Sequence, residues 1–257
     1  MGFYMNFDLQ KASLSKRLSA FLIDFLIFCL VALAIAPIIS NLVGYNAKLN
    51  EFKSFYDKYE EIYGIDTNIS AEEYNALSDA DKIKFDQATA AINSDKEMLD
   101  MYADLISLIL LVISISILLS FIILEVVIPL IFKNGQTLGK KIFGIAVMRT
   151  DGVRITPFQV CVRAILGKFT VETMFPLFLL LFVSLDMMGL IGFLVIGALL
   201  ILQIVVMIAT KTNSMIHDLF AVTVTVDLTS QTIFNTVDDL IEYKKRIAEE
   251  KANEKPY

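Results

Sequence analysis

The sequence predicts an all-α membrane protein: a four-transmembrane-helix bundle with a small cytoplasmic β element and an extracytoplasmic helical insert. Of its 257 residues, 56% are hydrophobic and only 19% are charged, and the mean hydropathy is +0.65. Ordinary soluble domains are about 45–50% apolar and about 25% charged. The apolar residues also form blocks as long as the roughly 20 residues that one helix needs to cross a bilayer. A water-soluble enzyme is therefore not expected.

Three apolar blocks define the predicted spans. The first starts at Leu18 and is longer than the apolar region of a cleaved signal peptide, about 7–15 residues, so we predict that it remains as a transmembrane helix. The last block, 171–209, exceeds a single crossing of a hydrocarbon core about 30 Å thick. Asp186 and Gly189 in its middle indicate a turn that divides it in two. The predicted transmembrane helices are 18–43, 105–132, 169–185 and 189–210.

The basic residues predict the orientation, because Lys and Arg near the ends of spans are retained in the cytoplasm. The loop 133–168 has seven basic residues against one acidic residue, whereas the insert 44–104 has fourteen acidic residues, six Lys and no Arg. An even number of spans places both termini on the side of the basic loop. We therefore predict a multi-pass cell-membrane protein whose N-terminus (1–17), loop and C-terminal strand and helical tail (211–257) are cytoplasmic.

Local patterns predict structure in both hydrophilic segments. In the cytoplasmic loop, Asp151 and Gly152 separate two β-prone runs, which predicts a hairpin, and 221–228 alternates like a third strand. Thr156 and Pro157 are predicted to open an interfacial helix in the last part of that loop. In the insert, aromatic residues at helical spacing predict short helices above the membrane. Capping-box patterns are predicted to start three of them, at Ser70, Ser78 and Ser94.

Ionisable residues inside the predicted spans are the main functional candidates, because such residues usually mark ion or proton sites. Asp24 lies six residues into the first span and Glu125 eight residues before the basic end of the second, so both have a similar depth. Pro129 cannot donate to the carbonyl of Glu125 and is expected to kink the helix. Carboxylate and carbonyl oxygens together suit a proton or a hard cation. The pattern recurs at Glu172 and Pro176.

These acids also admit a purely structural interpretation. Near an interface rich in basic residues, they can pair with Arg17, Arg163 or Lys168 and fix how the bundle packs. His217 is the only histidine of the chain, so a histidine-based metal cage is not expected. It is either a single proton carrier or, with Asp218, part of a hydrogen-bonded turn.

Several motifs in a fixed order resemble those of the RDD family of bacterial membrane proteins, which is named for an arginine and two aspartates. The motifs lie at 16–24, 134–145, 151–152, 163 and 217–224. The resemblance implies that Arg17 and Asp24 are the family's arginine and first aspartate, with Asp218 as the second. It also implies a transporter of unidentified ligands, and cation/proton exchange has been proposed for members. The long insert departs from the family's usual short connection, and Val222 stands where glycine is common.

The leading functional hypothesis is a secondary transporter that exchanges a monovalent cation for a proton. Asp24 and Glu125 are its protonatable ligands, and Arg17 is the group that sets their pKa values. The bilayer and the transported ion are the expected partners. Because four spans are few for a transporter, we also expect a homo-oligomer.

The alternative hypothesis is a non-transporting scaffold whose insert, 44–104, binds a protein or envelope partner. An enzyme is not expected, because no nucleophile–base pair or metal cluster can be assembled from plausible neighbours. No cofactor is predicted. Nucleic acid is not an expected partner, since the sequence contains no basic stripe with interleaved aromatic residues.

Overall fold

The computed structural model describes residues 9–174, 189–210 and 212–253, which are mostly helical. The α-helices are α1 (Leu14–Leu42), α2 (Tyr45–Tyr63), α3 (Ala71–Ala76), α4 (Asp79–Ser94), α5 (Lys96–Ile122), α6 (Ile128–Phe132), α7 (Leu138–Ile142), α8 (Pro157–Cys161), α9 (Gly189–Ala209), α10 (Ile216–Ala221) and α11 (Val237–Asn253). The π-helices are π1 (Ile123–Val127) and π2 (Val162–Met174), and the strands are β1 (Ile145–Arg149) and β2 (Thr223–Asp227). One compact unit comprises Cys29–Ser120, and the other comprises the described residues before and after it.

Three helices of the described chain are long and apolar enough to cross a membrane: α1, the continuous helix Lys96–Phe132, and Leu190–Ala209 within α9. Large apolar side chains along them are exposed, such as Leu33 at 70% and Ile208 at 67%. Extended apolar surfaces of this kind are stable when they face lipid. The chain is therefore a multi-pass membrane protein.

The predicted third span falls mainly on residues that the structure does not describe. Of the segment 169–185, only the first part belongs to π2, and Pro176 and Asp186 lie outside the described residues. The count of four spans therefore stays a prediction. The other predicted spans coincide with α1, Lys96–Phe132 and α9, although α1 begins at Leu14, four residues earlier than predicted.

The second span extends into the insert, because a helix starts at Lys96 and continues without interruption. Asp95 begins this helix, since its Oδ1 accepts hydrogen bonds from the amides of Glu97 and Met98. The prediction of a cap at Ser94 is wrong: its hydroxyl instead donates to the carbonyl of Ala90, at the end of α4. An aspartate at the N-cap satisfies free helix amides as well as a serine does.

The unit Cys29–Ser120 has a core of its own, as the aromatic pattern of the insert predicts. Tyr59, Ile92 and Met98 are buried together, and the Tyr59 hydroxyl donates to Asp95 Oδ2 at 2.5 Å. The partly buried side chains around them are Phe52, Phe55, Tyr56, Tyr63 and Ala91. Helices α3 and α4 begin at Ser70 and Ser78, whose hydroxyls accept from the amides three residues on, as predicted.

The β element is a two-stranded antiparallel sheet in which β1 pairs with β2, with Val147 opposite Thr225. The predicted hairpin is present only in part, and the main partner of β1 is β2. The turn is present, with the amide of Gly152 donating to the carbonyl of Arg149, but the chain after it makes only a single bridge to β1, at Arg154. Helix α8 starts at Pro157 and leaves no length for a second hairpin strand. The third predicted strand is therefore the true partner of β1.

The helices around two predicted site residues are π-helices. In π1 the amide of Ile128 donates to the carbonyl of Ile123, five residues back. The predicted free carbonyl at Glu125 assumes regular α-helical pairing, which is not the pairing that π1 has. Glu172 lies in π2, which has the same wider hydrogen-bond spacing. π-Helices are rare and occur preferentially at functional sites.

Candidate functional site

The first part of the site is formed where α7 packs against α1. Thr137 and the amide of Gly139 donate to the two carboxylate oxygens of Asp24, at 2.5 and 2.7 Å. This approach requires glycine, because a Cβ at Gly139 would lie 2.3 Å from the carbonyl oxygen of Ala20. The partly buried Asp24 carboxylate is thus held against α7 by two hydrogen bonds.

Arg17 lies about two helical turns before Asp24 on the same helix, and its side chain donates hydrogen bonds to backbone carbonyls. Its guanidinium donates to the carbonyls of Asn213 and Thr225, at 2.5 and 2.7 Å. It therefore ties the start of α1 to β2 and to the segment before α10. The proposed role of Arg17 in setting the pKa of Asp24 and Glu125 stays a prediction, since these hydrogen bonds lead away from both acids.

A second pair joins the two π-helices. Lys168 Nζ lies 2.5 Å from Glu125 Oε1, and both side chains are about four-fifths buried, with 21% and 18% exposed. Next to this pair, the rings of Phe121 and Phe169 lie 5.2 Å apart. The purely structural interpretation predicts that these acids pair with basic residues, and the partner of Glu125 is Lys168.

A third, buried network connects π2 with α10. Arg163 Nε donates to Asp218 Oδ1 at 2.9 Å, and Arg163 Nη2 lies 2.9 Å from His217 Nε2. On its other side, His217 Nδ1 lies 2.8 Å from Glu172 Oε2. The two elements come this close because Gly167 has no side chain: a Cβ there would lie 2.4 Å from the Cβ of His217.

The hydrogen bonds determine the tautomer of His217. Arginine can only donate, so Nε2 accepts from Arg163 and the single ring proton lies on Nδ1, where it is donated to Glu172. Burial and the nearby Arg163 lower the pKa of His217, although Asp218 and Glu172 oppose the change. For Asp218, burial favours the neutral form, but Arg163 and His217 outweigh it and hold its pKa well below the usual value.

Lys140 is the residue that the sequence analysis missed. Its side chain is 91% buried, since only 9% is exposed, and its Nζ has no hydrogen-bond partner within the described part of the chain. Burial, together with the positive charges of Arg163 and Lys168, lowers the pKa of Lys140 to about 7, against the attraction of Glu125 and Asp24. Its neighbour Lys141 is exposed and lies over the Phe132 ring at 4.0 Å.

These groups form one electrostatic network, which we name the charge cluster. It consists of Arg17, Asp24, Glu125, Lys140, Arg163, Lys168, Glu172, His217 and Asp218. The four acids and four bases balance when all are ionised and the histidine is neutral. Beside it lies a cavity of about 10 Å³, bordered by Glu125, Pro129 and Arg163, which is about the room that one water molecule needs. Within 9–174, 189–210 and 212–253 no group of three or more His, Cys, Asp or Glu could hold a metal ion.

Apolar membrane-length helices together with a balanced cluster of ionisable side chains define the class: a multi-pass membrane protein with an internal ionisable site. The model of the RDD family matches residues 11–222. Because this match extends over most of the chain, the protein belongs to the RDD family. Neither the curated proteins nor the solved structures include a match to the chain.

Proposed function

We propose that this protein is a secondary transporter that exchanges a monovalent cation for a proton, with the charge cluster as its coupling site. The observation that carries the proposal is the buried Lys140 ammonium, which has no hydrogen-bond acceptor in the described chain and interacts with the charges of Asp24 and Glu125. Both termini and the loop 133–168 face the cytoplasm of a cell-membrane protein in this proposal.

The charge balance of the cluster supports a one-for-one exchange. Charges in a low-dielectric interior are stable only when they are compensated. Loss of one proton leaves the cluster with a net charge of −1, and entry of one monovalent cation restores neutrality. Net uptake of either ion alone is therefore opposed, which is the property that an exchanger needs.

The small space beside the cluster favours an ion over a larger solute. The cavity at Glu125 and Arg163 has a volume of about 10 Å³, whereas pockets for small organic ligands are about 300–1,000 Å³. A proton, or a cation that has lost most of its water, is the class of substrate that fits. The carboxylates of the cluster supply the oxygen atoms that hard cations prefer.

Proteoliposomes with an internal pH-sensitive dye test the proposal. Addition of Li⁺, Na⁺ or K⁺ outside is expected to drive protons out of vesicles that contain the protein and not out of empty vesicles. The double variant Asp24→Asn, Glu125→Gln is expected to lose this response. A wild-type protein that moves no protons in response to any of the three cations contradicts the proposal. Unchanged flux in the double variant removes these two acids from the mechanism.

A scaffold function remains a second candidate, because the insert has its own buried core around Tyr59, Ile92 and Met98. A folded domain of this kind is suited to binding a protein or envelope partner. In that case deletion of the insert abolishes the phenotype of the protein, whereas Asp24→Asn and Glu125→Gln only lower its abundance. Abundance and phenotype measured on the same variants separate the two candidates.

We also propose a homo-oligomer. Three membrane-length helices among the described residues leave large apolar surfaces that a second copy can cover in part. Crosslinking in native membranes is expected to trap dimers or higher species. Only monomer under efficient crosslinking contradicts this part of the proposal.

A further inference from the structure

We propose that Lys140, rather than any of the buried carboxylates, is the group of the charge cluster that binds and releases the exchanged proton. This assignment rests on the proposed function, because it names the proton-carrying atom of that exchange, Lys140 Nζ. It follows from which groups of the cluster are satisfied by hydrogen bonds and which one is not.

Each carboxylate of the cluster already has a hydrogen-bond donor or an ion-pair partner. Asp24 accepts from Thr137 and Gly139, and Glu125 is paired with Lys168. Glu172 accepts from the amide and ring of His217, and Asp218 from Arg163. Protonation of any of them breaks or weakens a hydrogen bond, so these acids are poor proton carriers.

The other cations of the cluster each have at least one hydrogen-bond or ion-pair partner, although the Nε of Arg17 has none within the described chain. Arg163 donates to Asp218 and to His217, Lys168 lies against Glu125, and Arg17 donates to backbone carbonyls. Arginine also does not lose its proton in proteins. Lys140 differs, because its ammonium has no acceptor in the described chain. Release of its proton therefore breaks no hydrogen bond that the structure shows.

The surroundings of Lys140 make its two forms similar in free energy. The charged groups that act on it come from every neighbouring element: Asp24 from α1, Glu125 from π1, Arg163 and Lys168 from π2, and Asp218 from α10. Burial and the two cations favour the neutral amine, and the acids favour the ammonium. The resulting pKa of about 7 means that both forms are populated near neutral pH.

The proton step balances in atoms and charge. The ammonium of Lys140 loses one proton to become a neutral amine, and the cluster changes from neutral to −1. A monovalent cation drawn to Asp24 and Glu125 then restores neutrality. When the proton returns, the ammonium again supplies the positive charge and the cation leaves.

Carbon NMR of the purified protein labelled at the lysine ε-carbons tests the assignment without any transport measurement. The signal that disappears in Lys140→Arg is expected to titrate near neutral pH, more than two pH units below the ordinary lysine value of about 10.4. Lys141→Arg is the matched control, because it removes an exposed neighbour whose signal is expected to titrate above pH 9. A Lys140 signal that titrates with the exposed lysines overturns the proposal.

Proton release in detergent then links this group to the cation. At pH 7 in weak buffer about half of the Lys140 amines carry a proton, so NaCl or KCl is expected to release up to about half a proton per wild-type protein, and choline chloride none. Lys140→Arg keeps a positive charge but not a removable proton, so release is expected to vanish there and to persist in Lys141→Arg. Release that persists in Lys140→Arg overturns the proposal, even where vesicle flux is normal. A Lys140 signal that titrates near neutrality without any vesicle flux contradicts the exchange function instead and leaves the proton site standing.

Discussion

Arg163 donates to His217 Nε2 at 2.9 Å, and this contact adds to burial in favouring the neutral ring of His217. A doubly protonated ring would place two donors face to face, so the hydrogen bond exists only while Nε2 lacks a proton. The same guanidinium binds Asp218 through Nε at 2.9 Å. One arginine therefore favours the neutral form of His217 and the charged form of Asp218.

Replacement of Asp218 is expected to be severely destabilising. Asp218→Asn keeps the shape of the side chain but leaves the buried Arg163 without a counter-charge, and breaking a buried pair in this way costs about 3–5 kcal/mol. Asp227→Asn is the matched control. Asp227 pairs with the partly exposed Lys16, so its loss is expected to cost about 1 kcal/mol or less. Thermal unfolding in detergent measures both, and equal losses contradict the prediction.

The close packing of α7 on α1 predicts a strong effect of one methyl group. In Gly139→Ala the new Cβ meets the carbonyl oxygen of Ala20 at 2.3 Å, so α7 must move away and the hydrogen bonds to Asp24 are lost. We expect a loss of at least about 2 kcal/mol. Gly197→Ala, in α9, is the control because a Cβ there meets nothing within 4 Å. A tolerated Gly139→Ala contradicts the packing described here.

Acid is expected to weaken the His217 network. Because the folded protein lowers the pKa of His217 below the ordinary 6.5, the unfolded chain binds the proton first as the pH falls. The free energy of unfolding is therefore expected to decrease below pH 6.5, by up to about 1.4 kcal/mol per pH unit. Unfolding temperatures between pH 7.5 and 5 measure this change. His217→Gln is expected to flatten it, and an unchanged acid dependence in that variant refutes the assignment.

Base is expected to stabilise the protein through Lys140. Its pKa is about 7 in the folded protein against an ordinary 10.5, so between these values the unfolded chain binds more protons. The free energy of unfolding therefore rises with pH from 7 upward, by up to about 1.4 kcal/mol per pH unit. Lys140→Met removes this rise and Lys141→Met does not. The difference between the two variants, followed from pH 7 to 9, isolates the contribution of the buried amine.

The core of the insert can be tested separately from the charge cluster. Tyr59→Phe removes the hydroxyl that donates to Asp95 at 2.5 Å, and a hydrogen bond to a charged group contributes about 1.5–3 kcal/mol. Tyr102→Phe is the control, since Tyr102 is 54% exposed. Circular dichroism during thermal unfolding is expected to show an earlier transition for Tyr59→Phe only. Coincident transitions for the two variants contradict the role of this bond.

The sequence predicted those features that depend on local chemistry or on long apolar runs. Membrane-length helices, the caps at Ser70 and Ser78 and the position of β2 follow from composition, spacing and alternation. The hairpin after β1 is limited to its turn and one antiparallel bridge, because Pro157 starts a helix and the longer partner strand lies about seventy residues further along the chain. Pairing between distant strands leaves no local signal, so periodicity alone did not reveal it.

The site shows the same limit. Asp24, Glu125 and Asp218 stand out in the sequence because charges among apolar residues are unusual. Lys140 does not, because it is followed by an identical residue in a basic loop, and only the packing of α7 decides which of the two amines is buried. The π-helices also lack a sequence signature that marks their extent. Which side chains become buried depends on contacts between distant segments, and the local sequence pattern does not specify those contacts.

The carbonyl groups of Asn213 and Thr225, which accept hydrogen bonds from Arg17, lie 196 and 208 residues further along the chain. During synthesis the first helix therefore enters the membrane long before Asn213 and Thr225 leave the ribosome. The guanidinium of the nascent chain must spend that interval with water or lipid phosphate, and the charge cluster cannot be completed until the last strand has been made. A chain that stops short of this strand leaves Arg17 without the carbonyl of Thr225.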